Sequence, residues 1–146
     1  CLWRNFLVFP SKKPERSRRQ NIYLWIDPMA QDYDPSNIFA RILRGEIPNK
    51  TVLDTAHTLA FLDINPAAPQ HVLVIPKGAY VNFDDFAAHA SADELVDFHR
   101  ACAQICATMP AGYRAITNAG AHGMQEVQHY HLHILGGRVL GPLIAR

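Results

Sequence analysis

Residues 129 to 134 read His-Tyr-His-Leu-His-Ile, and strict alternation of this kind predicts a β-strand. Successive strand side chains point to opposite faces, so His129, His131 and His133 share one face while Tyr130, Leu132 and Ile134 pack on the other. Imidazole changes charge near neutral pH, is a nucleophile when neutral and donates from both nitrogens when protonated, which suits reactions at phosphorus or at a metal. A strand advances roughly 3.3 Å per residue, which sets the outer two histidines about 13 Å apart, too far for one tetrahedral ion with bonds of about 2 Å to gather all three. A metal could take two neighbours and a third ligand from elsewhere, but an extended anion fits the row better. The plainer alternative is a set of histidines solvated on an exposed sheet face.

The rest of the chain supplies partners for such a strand. Asp34-Pro35-Ser36-Asn37 is a helix-start cluster, followed by Ile38, Phe39, Ile42 and Leu43 at helical spacing and by Gly45 as a stop. Thr51 to Thr55 and Leu59 to Asp63 predict two strands joined by a turn. Pro66 to Gln70 is a loop into the apolar strand His71 to Ile75, which Pro76 ends. Ser91-Ala92-Asp93-Glu94 is a capping box, and Leu95, Phe98, Cys102, Ile105 and Met109 follow at steps of three and four, predicting one long helix closed by Pro110 and Gly112. Tyr113 to Asn118 reads as a further strand, and the loop from Asn118 to Gln125 leads into the histidines. Strands and helices do not alternate strictly, which predicts an α+β domain: a mainly antiparallel sheet of about five strands with one long and one short helix.

Composition narrows the function classes. With 146 residues, 49% of them apolar, the chain suits one domain with a real core. Residues 1 to 28 carry six Lys/Arg against Glu15 and Asp27, whereas residues 29 to 146 carry eight Lys/Arg against eleven Asp/Glu, a net of −3. A mildly acidic body argues against a broad nucleic-acid surface. Residues 1 to 28 read as a leader outside the domain, disordered or not native, with Met29 as the natural start and residues 29 to 146 as the domain. The leader lacks a signal-peptide cleavage site, and its Ser content is low for a transit peptide. Cys102 and Cys106 sit one helical turn apart in an apolar stripe and predict buried small residues rather than a disulfide framework or a zinc site, hence a reducing, cytoplasmic setting. No apolar run approaches the roughly 18 residues of a membrane span. There is no G-x-x-x-x-G-K-[ST] phosphate loop and no acidic cluster for magnesium, so neither cofactor nor metal is expected.

His129 to Leu135 fits the pattern His-x-His-x-His-x-x and resembles the histidine triad (HIT) family. Ser36 to Ile42 with Gly45-Glu46-Ile47-Pro48, Phe61 to Pro66, Pro69 to Lys77, Gly112 to Asn118 and Leu135-Gly136-Gly137-Arg138 extend the likeness, in consistent order, over about residues 33 to 142. The branch it resembles is that of the Hint-like nucleotide phosphoramidases and their bacterial relatives. The resemblance implies the HIT fold pairing as a homodimer, a purine nucleotide substrate, and hydrolysis of a phosphorus–nitrogen bond. It implies His131 as the nucleophile of a covalent nucleotidyl-histidine intermediate, His129 and His133 flanking the phosphate, and His71 in the same network. Asp63 would hold ribose hydroxyls, Ile38, Phe39, Ile42 and Ile64 would line the base pocket, and Asn118 and Gln125 would contact the phosphate side. Splitting a displacement at phosphorus into two steps through a neutral imidazole is sound chemistry in its own right.

Two departures stand out. Where eukaryotic Hint-like members have a serine three positions before the triad, this chain has Glu126, and Gly123-Met124 replaces a glycine-rich pair. Glu126 then points away from the phosphate, binds an amine leaving group, or contacts His71. A further family histidine after Ile75-Pro76-Lys77 is absent, with Ala79-Tyr80 in its place. His57, His89, His99 and His122 read as surface or loop residues, His122 within the phosphate-side loop. Two other activities fit the same residues: dinucleoside polyphosphate hydrolysis or nucleotidyl transfer on this fold, and a non-catalytic nucleotide- or metal-binding interaction module.

Overall fold

A computed structural model describes residues 33–144; the leader assigned to residues 1 to 28 lies outside them. Five strands form one antiparallel sheet: β1 (Thr51–Asp54), β2 (Thr58–Leu62), β3 (Gln70–Pro76), β4 (Tyr113–Ile116) and β5 (Leu132–Gly136), in the order β1-β2-β3-β5-β4. Among the described residues three helices accompany it: α1 (Ile38–Leu43), α2 (Phe83–His89) and α3 (Ala92–Cys106). The α+β class and antiparallel sheet agree with the expectation from sequence.

Local chemistry explains the helix ends. The Asn37 side chain accepts from the amides of Phe39 and Ala40, at 3.0 and 2.9 Å, satisfying first-turn donors of α1. At its other end Gly45, at φ +74°, donates to the Ile42 carbonyl while Glu46 donates to that of Arg41, the paired reverse bonds that a left-handed residue after a helix permits. The Ser91–Glu94 capping box forms as expected and opens α3. That helix stops at Cys106, short of Met109; the amides of Thr108 and Met109 bond three residues back in tighter turns, yet Met109 stays buried in the core.

Alternation along the strands divides the sheet into two faces. Ala60, Val72, Val74, Tyr130 and Ile134 meet Phe86, Phe98, Ile105 and Met109 on the α3 side. Leu59, Phe61, Leu73 and Ile75 meet Phe39 and Ile42 of α1 on the other. Asp97 of α3 clips the β1–β2 turn, accepting from the hydroxyls of Thr55 (2.6 Å) and Thr58 (2.8 Å) and from the amide of His57 (3.2 Å). Cys102 and Cys106 are free and half-buried beside the α3 core, and burial pushes the Cys102 thiol up to about 12, which makes it inert. No described helix is long and apolar enough to cross a membrane.

Two elements differ from the sequence reading. α2 was not expected, since Phe86 is its one buried side chain; the Asn82 side chain capping Asp85 and two acidic residues in the first turn hold it instead. The strand predicted from His129 begins only at Leu132. Pairing of β3 with β5 stops at Val74 opposite Leu132, because Pro76 has no N–H with which to extend the ladder and its carbonyl accepts from the His129 ring.

Candidate active site

The sheet register assembles the site. Phe61, Leu73 and His133 lie on one rung, Leu73 opposite both. Two rungs along, His71 pairs with Leu135, and the Asp63 amide donates to the His71 carbonyl. His71 and His133 are therefore diagonal neighbours on one face, within side-chain reach. A cleft of about 550 Å³ opens above them. Ile38, Phe39 and Ile42 of α1 form one wall. Asp63 and exposed Ile64 form another, and Asn118, Met124 and Glu126 the third; His131 and His133 lie at its floor.

Backbone groups set the imidazole tautomers. The Ala67 amide donates to His71 Nδ1 at 3.1 Å, so the neutral ring carries its proton on Nε2, which lies 2.9 Å from His133 Nδ1 and 3.4 Å from Asp63 Oδ2. His133 Nδ1 is then an acceptor, and its Nε2–H remains as a donor. His131 Nδ1 lies 2.7 Å from the His129 carbonyl; a carbonyl only accepts, so Nδ1 holds the proton and Nε2 keeps a lone pair. Phe39 packs edge-on against the His131 ring with centroids 5.1 Å apart.

Burial keeps these rings neutral. It pushes His133 down to about 4, aided by the neighbouring His131 and His71 and opposed by Asp63. It also lowers His131, against the pull of the His129 carbonyl bond and of Asp63 and Glu126. His71 is lowered by burial with Asp63 opposing. At neutral pH the cleft floor is thus a set of neutral, oriented imidazoles rather than a cationic patch.

The sequence-predicted residues separate into groups. Ile38, Phe39, Ile42, Asp63, Ile64, Asn118, Glu126, His131 and His133 line the cleft. His71 lies behind His133. His129 does not line the cleft, contrary to the role beside the phosphate that the resemblance implies: it is wholly buried, with Nε2 2.9 Å from the Pro76 carbonyl and Nδ1 2.6 Å from the Tyr33 hydroxyl. The early end of the ladder turns it inward. Gln125 is also buried, its amide nitrogen donating to the carbonyls of Val81 (2.6 Å) and Val127 (3.0 Å) and its oxygen accepting from Gly120 (3.1 Å), so it holds the loop rather than facing the cleft. Glu126 is exposed on the cleft wall, and among the described residues no hydrogen bond or ion pair engages its carboxylate. The contact with His71 is absent, and so is the orientation away from the cleft.

Sequence reasoning missed Tyr33, which belongs to no periodic pattern, and Met124, whose φ of +55° is strained for a residue with a β-carbon. Gly123 beside it is required, since a β-carbon there would lie 2.4 Å from the Ala119 carbonyl oxygen. One metal-ligand spacing also forms: donor atoms of Asp63, His71 and His133 lie within 4.8 Å of one another. These three could hold a divalent ion only after the His71 Nε2 proton left and the His71–His133 bond opened.

Residues 44–140 match the family model described as the HIT domain. The chain belongs to the HIT family. It is 54% identical over 121 residues to a HIT-like protein of Azospirillum brasilense, covering 81% of this chain and 99% of that one. It is 41% identical over 110 residues to the purine nucleoside phosphoramidase of Escherichia coli, covering 74% and 92%. Among solved structures, a HIT family hydrolase from Clostridium thermocellum superposes with a TM-score of 0.68 at 37% identity, over 75% of this chain and 97% of that one. A histidine triad protein from Clostridium difficile does so with 0.66 at 38%, over 73% and 95%. The fold is therefore the HIT fold, as the triad and its neighbouring motifs predict.

Proposed function

We propose that this HIT protein is a nucleotide-binding hydrolase that cleaves the phosphorus–nitrogen bond of nucleoside phosphoramidates or related adenylylated conjugates, with His131 as the nucleophile. The observation that carries this reading is the bond from His131 Nδ1 to the His129 carbonyl, which leaves Nε2 unprotonated at the cleft floor. Nε2 attacks phosphorus, an N–P bond forms, and the bond from phosphorus to the substrate amine breaks. The amine leaves with the electron pair and takes a proton from solvent, while His133 Nε2–H donates a hydrogen bond to a phosphate oxygen and keeps its proton. Water then attacks phosphorus, the bond from phosphorus to His131 Nε2 breaks, a proton passes to solvent, and the nucleoside monophosphate and neutral His131 are released. Donors around the phosphate supply the charge stabilisation.

The remaining roles follow from chemistry. Ile38, Phe39, Ile42 and Ile64 offer an apolar slot for a purine, and Asp63, an acceptor at its edge, suits two ribose hydroxyls. Asn118 contacts the phosphate side, while Gln125 shapes the loop without touching substrate. Glu126 receives the amine leaving group. That last role favours phosphoramidates over dinucleoside polyphosphates, because among the described residues no Lys or Arg lines the cleft and a departing polyphosphate would meet the Glu126 carboxylate. The phosphoramidase relative supports the same choice. We further propose a cytoplasmic homodimer whose domain spans residues 29 to 146. The free cysteines support the compartment, and edge strand β4, with exposed Tyr113 beside exposed Val139, supports the pairing.

Mass spectrometry of protein quenched during turnover of a nucleoside phosphoramidate tests the reading. A nucleotidyl adduct on His131 is the expected result; an adduct on another residue, or turnover that survives His131→Ala, overturns it. Retained nucleotide binding with no turnover in the wild type would leave the non-catalytic binding module instead.

A further inference from the structure

We propose that Tyr33 is a positioning residue of this site, its hydroxyl locking the buried His129 whose carbonyl holds His131 in line. The inference rests on the reading of His131 as nucleophile. The Tyr33 hydroxyl lies 2.6 Å from His129 Nδ1, and the two rings meet edge-on with centroids 5.5 Å apart. His129 is wholly buried, and its Nε2 faces the Pro76 carbonyl at 2.9 Å. A carbonyl cannot donate, so Nε2 carries the proton and Nδ1 of the neutral ring is an acceptor. The hydroxyl therefore donates. Burial pushes His129 down to about 4, which keeps it in this neutral form.

Both nitrogens of His129 are thus spent on fixing its own ring, and the contact with His131 runs through the backbone: His129 O accepts from His131 Nδ1–H at 2.7 Å. Without the tyrosine hydroxyl, Nδ1 becomes a buried acceptor with no partner, a cost relieved only if the ring turns, changes tautomer or admits water. The first two responses break the Pro76 bond that anchors His129, and the third opens the pocket behind the nucleophile. Tyr33 does not line the cleft, so its effect falls on the alignment of the nucleophile rather than on substrate contact.

A built segment aims Tyr33. The Asp34 carboxylate accepts from the Ser36 amide (2.8 Å) and hydroxyl (2.6 Å). The Asp34 carbonyl accepts from Asn37 Nδ2 at 2.7 Å, and Arg44 donates to the Pro35 carbonyl at 2.8 Å. The tetrapeptide that starts α1 therefore also presents the tyrosine to the triad. Tyr33 precedes residues 44–140, the span matched by the HIT family model, so the segment ahead of that span completes the site.

Tyr33→Phe keeps the ring and removes only the donor. The expected result is a kcat about tenfold lower with KM within about twofold of wild type, as for a reacting group held slightly out of line. In ¹⁵N NMR of the histidine rings, His129 Nδ1 should lose the shift of a hydrogen-bonded acceptor. An unchanged Nδ1 signal overturns the hydrogen bond, and a changed signal with unchanged kcat overturns the positioning role, whatever happens to the melting temperature. Should His131 not be the nucleophile, the wild-type adduct would be missing from that residue while the Nδ1 signal still responded to Tyr33→Phe, so the two failures are distinguishable.

Discussion

The two faces of the sheet are built from the same strands by opposite rules. Tyr130 and Ile134 face α3 within an aromatic cluster in which Phe98 lies 5.0 Å from Phe86 and 5.2 Å from Tyr130 by ring centroid. His131 and His133, interleaved with them, face the cleft, where Phe39, Phe61 and Leu73 desolvate imidazoles instead of each other. One face spends apolar surface on stability; the other uses it to hold unprotonated nitrogen beside open space. Damage to the first should therefore appear in unfolding, and damage to the second in chemistry.

Phe98→Ala is the strongest test of that division. Its side chain is almost completely buried, and truncation is expected to cost about 3–5 kcal/mol by denaturant unfolding, with the folded fraction keeping normal turnover. His131→Ala should do the reverse, losing at least about 10³-fold in kcat with little change in the unfolding midpoint. A similar loss of stability from both would erase the distinction.

Acid should weaken the cleft face before the other. Burial pushes the His129 and His133 rings down to about 4 in the folded protein, against about 6.5 when unfolded. Between these values the unfolded chain binds more protons, so stability is fully present above pH 6.5 and is lost as pH falls toward 4. His129 alone contributes a slope of about 1.4 kcal/mol per pH unit across that window, and the partly solvated His133 less. His129→Asn should flatten the melting temperature between pH 6.5 and 4; an unaltered slope would remove His129 from the account.

Smaller effects are expected at the cleft wall. Glu126→Gln should lower kcat/KM about five- to tenfold for a substrate whose leaving amine bears a second positive charge, and leave a neutral leaving amine almost unaffected. Equal effects on both would end its assignment to the leaving group. Met124→Gly removes a β-carbon from a backbone at φ +55° and should change stability by less than about 1 kcal/mol, in the stabilising direction, as read by the melting temperature.

Much of this was legible in the chain. Alternation through Tyr130, Leu132 and Ile134 marked the side turned to the core, the Ser91–Glu94 box marked the start of α3, and apolar runs marked β2 and β3. These signals are local, since a strand or helix period is set by its own backbone. Where they failed, the missing information came from a distant partner. β5 begins at Leu132 because of Pro76, 56 positions earlier by residue number, and α2 forms on a cap with scant apolar surface. Gln125 turns inward because Gly120, Val81 and Val127 offer it three backbone partners.

The sequence by itself determined that three imidazoles would stand at alternate positions beside an apolar strand, and with its neighbouring motifs it specified the HIT fold. The resemblance names His131 as the nucleophile, but the residues themselves give no tautomer or protonation state for any of the three. Tautomer and protonation depend on which backbone group each nitrogen meets and on how much water remains, and these are properties of chains brought together from far apart. The tertiary structure alone leaves a lone pair on His131, turns the His133 proton outward through Ala67 and His71, and buries His129 against Pro76 and Tyr33.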